Sequence, residues 1–429
     1  MLKVAVDKIT PRICYVFDII RLFRRVDFQP VLIEYLKEEE QAYFYSQELS
    51  VENKGLKASV LLYEDAWRVP GLTKGMFEGE ECLAFEGVAD PLAAIFYHLT
   101  RMEEYNYTNY DKHGRFQFKD SFVNQFNWET KLMTERWIDI FLKDVFFQLQ
   151  IFPITVEASL KLRLTFDIDN TFAFKWKPAS RILGSYFKDL MRLDFKRIAV
   201  KTQTLLGCRK DPYDTFDKIK SFQMNGIDVQ LFWLLGDFGA FDRNVPNTSK
   251  KHLNFIRQLG KELNIGLHPS YASNTNSERL SNEKQLLEKV LGRPVDKSRQ
   301  HFLKLQFPFT YQRNMEAGLK ADYTLGFGDA LGFRAGTLRC FPFFDISENK
   351  QYDFWIYPFV YMDGTLREYL RFSLEESKRA LLPLIEEAKR FGGDFISIWH
   401  NETISDWSDW KGWVELIDFT QRNIYETDN

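Results

Sequence analysis

Past residue 160 the chain repeats a unit of helix followed by short strand, and no other feature limits its possible folds so strongly. The run "KLRLTFDIDN" alternates, with Leu162, Leu164, Phe166 and Ile168 on one face and Arg163, Thr165, Asp167 and Asp169 on the other. A helical stretch over 215–225 stops at Gly226 before "DVQLFWLL", "SKKHLNFIRQLGKELN" leads into "IGLH", and "NEKQLLEKVLGRP" leads into "SRQHFL". A short helix over 310–317 stops at Gly318 before "DYTLGF". Ser373 and Glu376 form a capping box for "FSLEESKRALLPLIEEAKRFGG", where Pro383 is a candidate kink, and that helix feeds "DFISIWHN". Strands separated by helices predict a mostly parallel sheet with helical crossovers. More than half a dozen such strands can close into a (β/α) barrel, which gathers functional residues on the loops after the strands.

The first part of the chain lacks this rhythm. We expect residues 1–155 to form a smaller α+β domain and 156–429 the barrel, with "FPITVEA" as the crossing; a chain of 429 residues suits two or three domains. "KASVLLYE" reads as a strand, while "DPLAAIFYHLTRMEEYN", capped by Asp90 before Pro91, and "ETKLMTERWIDIFLKDVFFQLQ" read as helices. Aromatic residues make up 16%, which points first to thick cores and second to sugar-stacking surfaces. A net charge of -3 gives no electrostatic case for nucleic acid or an anionic membrane, and no apolar stretch has the length of a membrane span. The start has no secretory pattern, and Cys14, Cys82, Cys208 and Cys340 lie far apart without a CxxC, so a cytoplasmic protein with reduced thiols is expected.

Only six histidines are present, which shortens the search for metal chemistry. Asp167 and Asp169 lie two apart on one strand and therefore project together, and two such carboxylates repel unless a cation or proton lies between them. The plainer alternative makes one a turn cap and pairs the other with Arg163 or Lys175. His268 ends the strand "IGLH" because Pro269 cannot continue a ladder, and a neutral imidazole there suits a metal. "SRQHFL" offers His301 within a strand, with Arg299 two residues before it, and "FISIWHN" offers His400 after Trp399. Imidazole can donate a proton to a leaving amine or alkoxide. We expect His98 and His252 on helix surfaces and His113 in a turn, all without a role. Arg334, in "DALGFRAGT", is a candidate to brace a carboxylate or contact a sugar, against the alternative of a loop arginine with a surface partner. "GFGDALG" lacks the Lys-Ser/Thr of a phosphate cradle, and no G-x-S-x-G is present.

Together, "TFDIDN", "LHPSY" and "IWH" resemble the motifs of the polysaccharide deacetylase (NodB-homology, carbohydrate esterase family four) superfamily over about 160–409. The resemblance implies a distorted (β/α) barrel and a divalent metal, usually zinc, that activates water against an N- or O-acetyl group. It implies Asp167 as general base, Asp169 and His268 as metal ligands and His400 as general acid. Three differences stand out. Ile168 separates the two aspartates, the second histidine of the family's His-x-x-x-His falls at Ala272, and the Arg-x-Pro-Tyr motif is missing, although "SRQH" keeps an arginine. His301 is our substitute for the missing ligand, Arg299 or Arg334 would hold Asp167 ionised, and Trp399 and Trp407, with Trp410, would stack on sugar rings. "RQHFL", "LGFGDALGFRAGT", "MDGTL" and "WHN" are similar to a divergent branch with an amino-terminal extension, found in gene clusters for bacterial surface polysaccharides. The implied partner is an acetylated sugar, an oligosaccharide or a lipid-linked sugar. The competing readings are a non-catalytic carbohydrate-binding or assembly protein on a degenerate barrel, and a glycoside hydrolase with paired carboxylates.

Overall fold

The computed structural model describes residues 1–37, 39–64, 71–152 and 159–426, and the boundary expected at 155/156 lies outside them. The first part carries a parallel sheet of β1 (Leu2–Val6), β2 (Phe28–Leu32), β3 (Tyr43–Ser46) and β4 (Gly55–Lys57), in the order β2-β1-β3-β4. A small antiparallel sheet follows, of β5 (Leu72–Phe77), β6 (Glu80–Phe85) and β7 (Val88–Ala89). Its main helices are α1 (Pro11–Arg24), α2 (Pro91–Thr100) and α3 (Met133–Leu149). Asp90 caps α2 by accepting from the Ala93 amide, as its place before Pro91 predicts. "KASVLLYE" differs from expectation: after Lys57 the chain turns through a 3-10 helix, Val60–Leu62. There Leu61 and Leu62 enter the core together, which strand alternation would not allow.

The second part is a single nine-stranded sheet in the order β13-β14-β12-β11-β10-β9-β8-β16-β15. Its strands are β8 (Leu160–Ile168), β9 (Asp228–Leu234), β10 (Asn264–His268), β11 (Lys297–Ser298), β12 (Ala321–Asp322), β13 (Phe341–Asp345), β14 (Lys350–Ile356), β15 (Tyr361–Met362) and β16 (Gly393–His400). All pairings are parallel except β13 with β14. Phe232, Tyr323, Met362 and Ile398, from well-separated strands, share one buried cluster, so the sheet curls into a half-barrel around them. The strand ladder does not close into the expected barrel among the described residues. Instead the Phe359 amide donates to the Leu325 carbonyl at 2.9 Å, linking the segments beside β15 and β12.

The helices on the outside are α4 (Ala179–Met191), α5 (Phe195–Leu205), α6 (Phe216–Met224), α7 (Lys250–Leu259), α8 (Ser277–Leu291), α9 (Phe309–Glu316), α10 (Leu374–Phe391) and α11 (Glu415–Tyr425). The predicted capping box of α10 forms, and the helix runs on through Pro383. One hydrophobic core joins the two parts. Tyr15 and Phe96 each pack on Phe344 with ring centres 5.1 Å away, and the Thr134 amide donates to the Gly336 carbonyl at 3.1 Å. The first part therefore braces the sheet directly. No helix of the described residues is long and apolar enough to cross a membrane.

Candidate active site

A cavity of about 190 Å³ opens where β8, β10 and β16 end, and Asp167, Asp169, His268, His301 and His400 all line it. Asp167 is the last but one residue of β8, and Asp169 follows the strand. His400 pairs in register with Asp167, which brings the last residue of β16 beside the carboxylates. His268 ends β10. His301 differs from expectation: β11 is only two residues long, and His301 opens a 3-10 turn beyond it. The next residue, Phe302, has φ +60° and Leu303 has φ +54°, a left-handed pair that turns the chain sharply at the cavity wall.

The hydrogen bonds around the histidines decide their chemistry. His268 Nδ1 lies 2.6 Å from the Arg299 carbonyl, which can only accept, so the ring proton is assigned to Nδ1. Nε2 then presents a lone pair 3.1 Å from Asp169 Oδ1, a buried oxygen with no hydrogen-bond partner. Two acceptors facing each other in a buried site need a proton or a metal ion between them. His301 repeats the arrangement: Nδ1 donates to Asp242 Oδ1 at 2.9 Å, and Nε2 lies 3.3 Å from Asp169 Oδ2. Asp169, His268 and His301 each offer one ligand atom, all within 4.8 Å of one another. The donor set of two imidazoles and a carboxylate, with each ring held from behind by an oxygen, fits a divalent ion such as zinc.

Charge follows the same pattern. Burial works to raise the Asp169 carboxyl, but His301 and His268 outweigh it and hold it well below the usual range. Burial opposes protonation of His301, yet Asp169 and Asp242 bring it up to about 9. In the same way Asp363 overcomes the burial of His400 and raises it well above an ordinary histidine.

Arg299 serves two residues at once. Its carbonyl fixes His268, and its Nη1 donates to Asp167 Oδ1 at 3.0 Å and Thr165 Oγ1 at 2.7 Å. Asp167 Oδ2 stays directed at the site, 3.9 Å from His268 Nε2. On the other side, Asp363 Oδ1 accepts from His400 Nδ1 at 2.9 Å, and its Oδ2 accepts from the His400 amide at 2.8 Å and Thr403 Oγ1 at 2.6 Å. His400 Nε2 is thereby aimed inward, 3.7 Å from Asp169 Oδ2.

Three expected site residues lie elsewhere. Arg334 is buried against Glu104, at 2.5 Å, and donates to the Gly326 carbonyl at 2.7 Å, so it joins the two parts of the chain and does not brace Asp167. Trp399 points away from the cavity because it alternates with His400 on β16; it is fully buried and bonds to Ser397 Oγ. Trp407 packs between Phe174 and Tyr213, outside the cavity. Trp410 does line it, with the Arg367 guanidinium 4.6 Å above its ring. Two of the histidines given no role are also misplaced by the sequence reading. His98 and His252 are buried, the first bonded to the Arg334 carbonyl and Thr134, the second to Thr171 and Trp233.

Sequence reasoning did not assign Asp242, Asp363, Arg115 or Glu402. Asp363, in "MDGTL" at the end of β15, follows the strand-end rule and could have been found by it. Asp242 sits in an irregular loop with no local signal. Arg115, from the first part of the chain, reaches the cavity between Tyr369 and the Phe302 carbonyl. Burial brings the Glu402 carboxyl, also in the cavity wall, up to about 7.

Among known proteins, a family of unknown function (DUF7033) matches residues 2–148, about a third of the chain. No curated protein matches. A crystal structure from Mycobacterium smegmatis, described provisionally as a polysaccharide deacetylase, aligns over 65% of this chain and 88% of that one, at 13% identity and a TM-score of 0.41. So distant a likeness adds nothing to what the side chains themselves say about chemistry.

Proposed function

We propose that the protein is a metal-dependent hydrolase that removes N- or O-acyl groups, acetyl foremost, from a carbohydrate of surface-polysaccharide synthesis. The observation that carries this reading is the buried Asp169 oxygen facing the lone pair of His268, with His301 completing a three-ligand set. A divalent ion held by these residues, zinc by the ligand chemistry, would polarise the acyl oxygen and make a water acidic. Asp167, held in place by the Arg299 hydrogen bond, accepts the proton of the attacking water. His400, kept protonated by Asp363, donates to the departing sugar nitrogen or oxygen. Trp410 and Tyr369 at the cavity wall give a sugar ring an apolar face to rest on.

Asp167 forms the ion pair with Arg299 that a degenerate, non-catalytic site would also hold, but its second carboxylate oxygen stays directed at His268 Nε2, as a base requires. The test is elemental analysis of the purified protein with turnover of acetylated oligosaccharides, in the parent and in Asp169→Ala and His268→Ala. Both variants should lose metal and activity. Full activity in both would reject the reading.

A further inference from the structure

The helix pair α4–α5, inserted after β8, is built inside out. A surface helix of a water-soluble protein buries its apolar stripe, but the one buried residue of α4 is Asp189. Asp189 pairs with Lys201 of α5, which also bonds to Ser185, and Arg197 lies 3.3 Å away. Polar groups thus clasp the two helices together. The apolar side chains face outward: Leu183, Phe187, Leu190, Met191, Leu193 and Phe195 are each more than half exposed. On α4 the first four recur at helical spacing along one stripe. Of the 22 exposed large hydrophobic residues among those described, eight fall between 183 and 206.

Cations surround this face. Lys188, Arg192 and Lys196, interleaved in sequence with these apolar residues, are exposed as well. Beside it lies a groove of about 510 Å³ lined by Lys177, Arg181 and Arg243, with Arg197 and Lys201 turned to Asp189. Its far wall is the loop 238–243, whose Asp242 holds His301. An exposed apolar stripe bordered by lysine and arginine is the arrangement of a helix that lies in the headgroup region of an anionic bilayer. A two-fold contact with a second copy is disfavoured, since it would set these cations against their own equivalents.

We propose that the α4–α5 pair docks this protein on the surface of a membrane rich in anionic lipid, with the basic groove receiving phosphate headgroups next to the active site. The inference stands apart from the reaction assigned above, because it rests on residues outside that cavity. The full-length protein is floated with vesicles of phosphatidylcholine, alone or mixed with phosphatidylglycerol, at low and high salt. Binding should be stronger to the anionic vesicles by roughly tenfold or more and should weaken with salt. The triple variant Leu183→Ser, Phe187→Ser, Met191→Ser should lose binding to both, with an unchanged circular dichroism spectrum and metal content. The variant Lys188→Gln, Arg192→Gln, Lys196→Gln should lose the preference for the anionic vesicles. Flotation with neither vesicle, or undiminished binding by the serine variant, would overturn the proposal. So would a dimer, seen by light scattering, that the serine variant dissociates without the parent ever binding vesicles.

Discussion

Asp242→Asn separates the charge of the support behind His301 from its geometry. Asp242 is buried, accepts from His301 Nδ1 at 2.9 Å and takes the Tyr271 amide at 2.9 Å on the same oxygen. An asparagine oxygen can accept both bonds, so the ring keeps its orientation while the negative charge behind it disappears and the bond from the Ala272 amide is lost. A hydrogen bond to a charged group contributes about 1.5–3 kcal/mol and a neutral one about 0.5–1.5 kcal/mol. The difference, on the order of 1 kcal/mol or slightly more, corresponds to a loss of roughly tenfold in metal affinity, the lower end of the range for residues supporting a ligand. His301→Ala, which removes the ligand itself, should lose far more. Competition titration of zinc against a chromophoric chelator measures both, and thermal unfolding of the metal-free proteins checks that the loop is intact. If Asp242→Asn bound zinc as tightly as the parent, no carboxylate would be tuning His301. If His301→Ala did so too, the assignment of His301 as the ligand that replaces the one missing at Ala272 would fail.

His400→Ala should lower kcat by about 10²–10⁴ while zinc content stays at the parent level, because its Nε2 faces the reaction and not the ligand set; loss of zinc would make it a ligand instead. Trp399→Ala should cost about 3–5 kcal/mol in denaturant unfolding, since the ring is fully buried, whereas Trp410→Ala should leave stability near the parent value and raise KM. Equal effects in the two would show that their roles are not divided in this way. Asp322 is fully buried, and burial brings its carboxyl up to about 6 despite bonds from Thr324 and Ser298. Because the folded value lies above the unfolded one, its contribution is complete below about pH 4 and is lost as pH rises through about 6. Between pH 4 and pH 7 the parent should therefore lose about 3 kcal/mol relative to Asp322→Asn, and parallel stability curves for the two would refute the shift.

The parts of the fold that were legible in the sequence are those set by local periodicity. The alternation of "KLRLTFDIDN" gives β8, and the glycine stops and capping box give the helices that follow. Strand ends fix His268 and His400 for the same reason: where an apolar run stops, the next polar side chain faces the rim. Closure was not legible, because β11, β12 and β15 have two residues each and leave no periodic trace. Nor were the roles of Arg334 and Trp399. Arg334 is claimed by Glu104, some 230 positions earlier, and Trp399 is turned away by one step of strand alternation relative to His400.

The first part of the chain gains a clearer place from the same contacts. The Arg115 guanidinium, held by Asp111 at 2.7 Å, reaches the cavity that the sheet ends define, and its Nη2 donates to Tyr369 at 3.0 Å. One residue of the cavity wall is therefore supplied from outside the sheet. A buried lone pair facing a buried carboxylate oxygen needs low solvent access to keep its electrostatic strength. The extension thus adds the Arg115 guanidinium to the wall of the space in which the ligands' charges act.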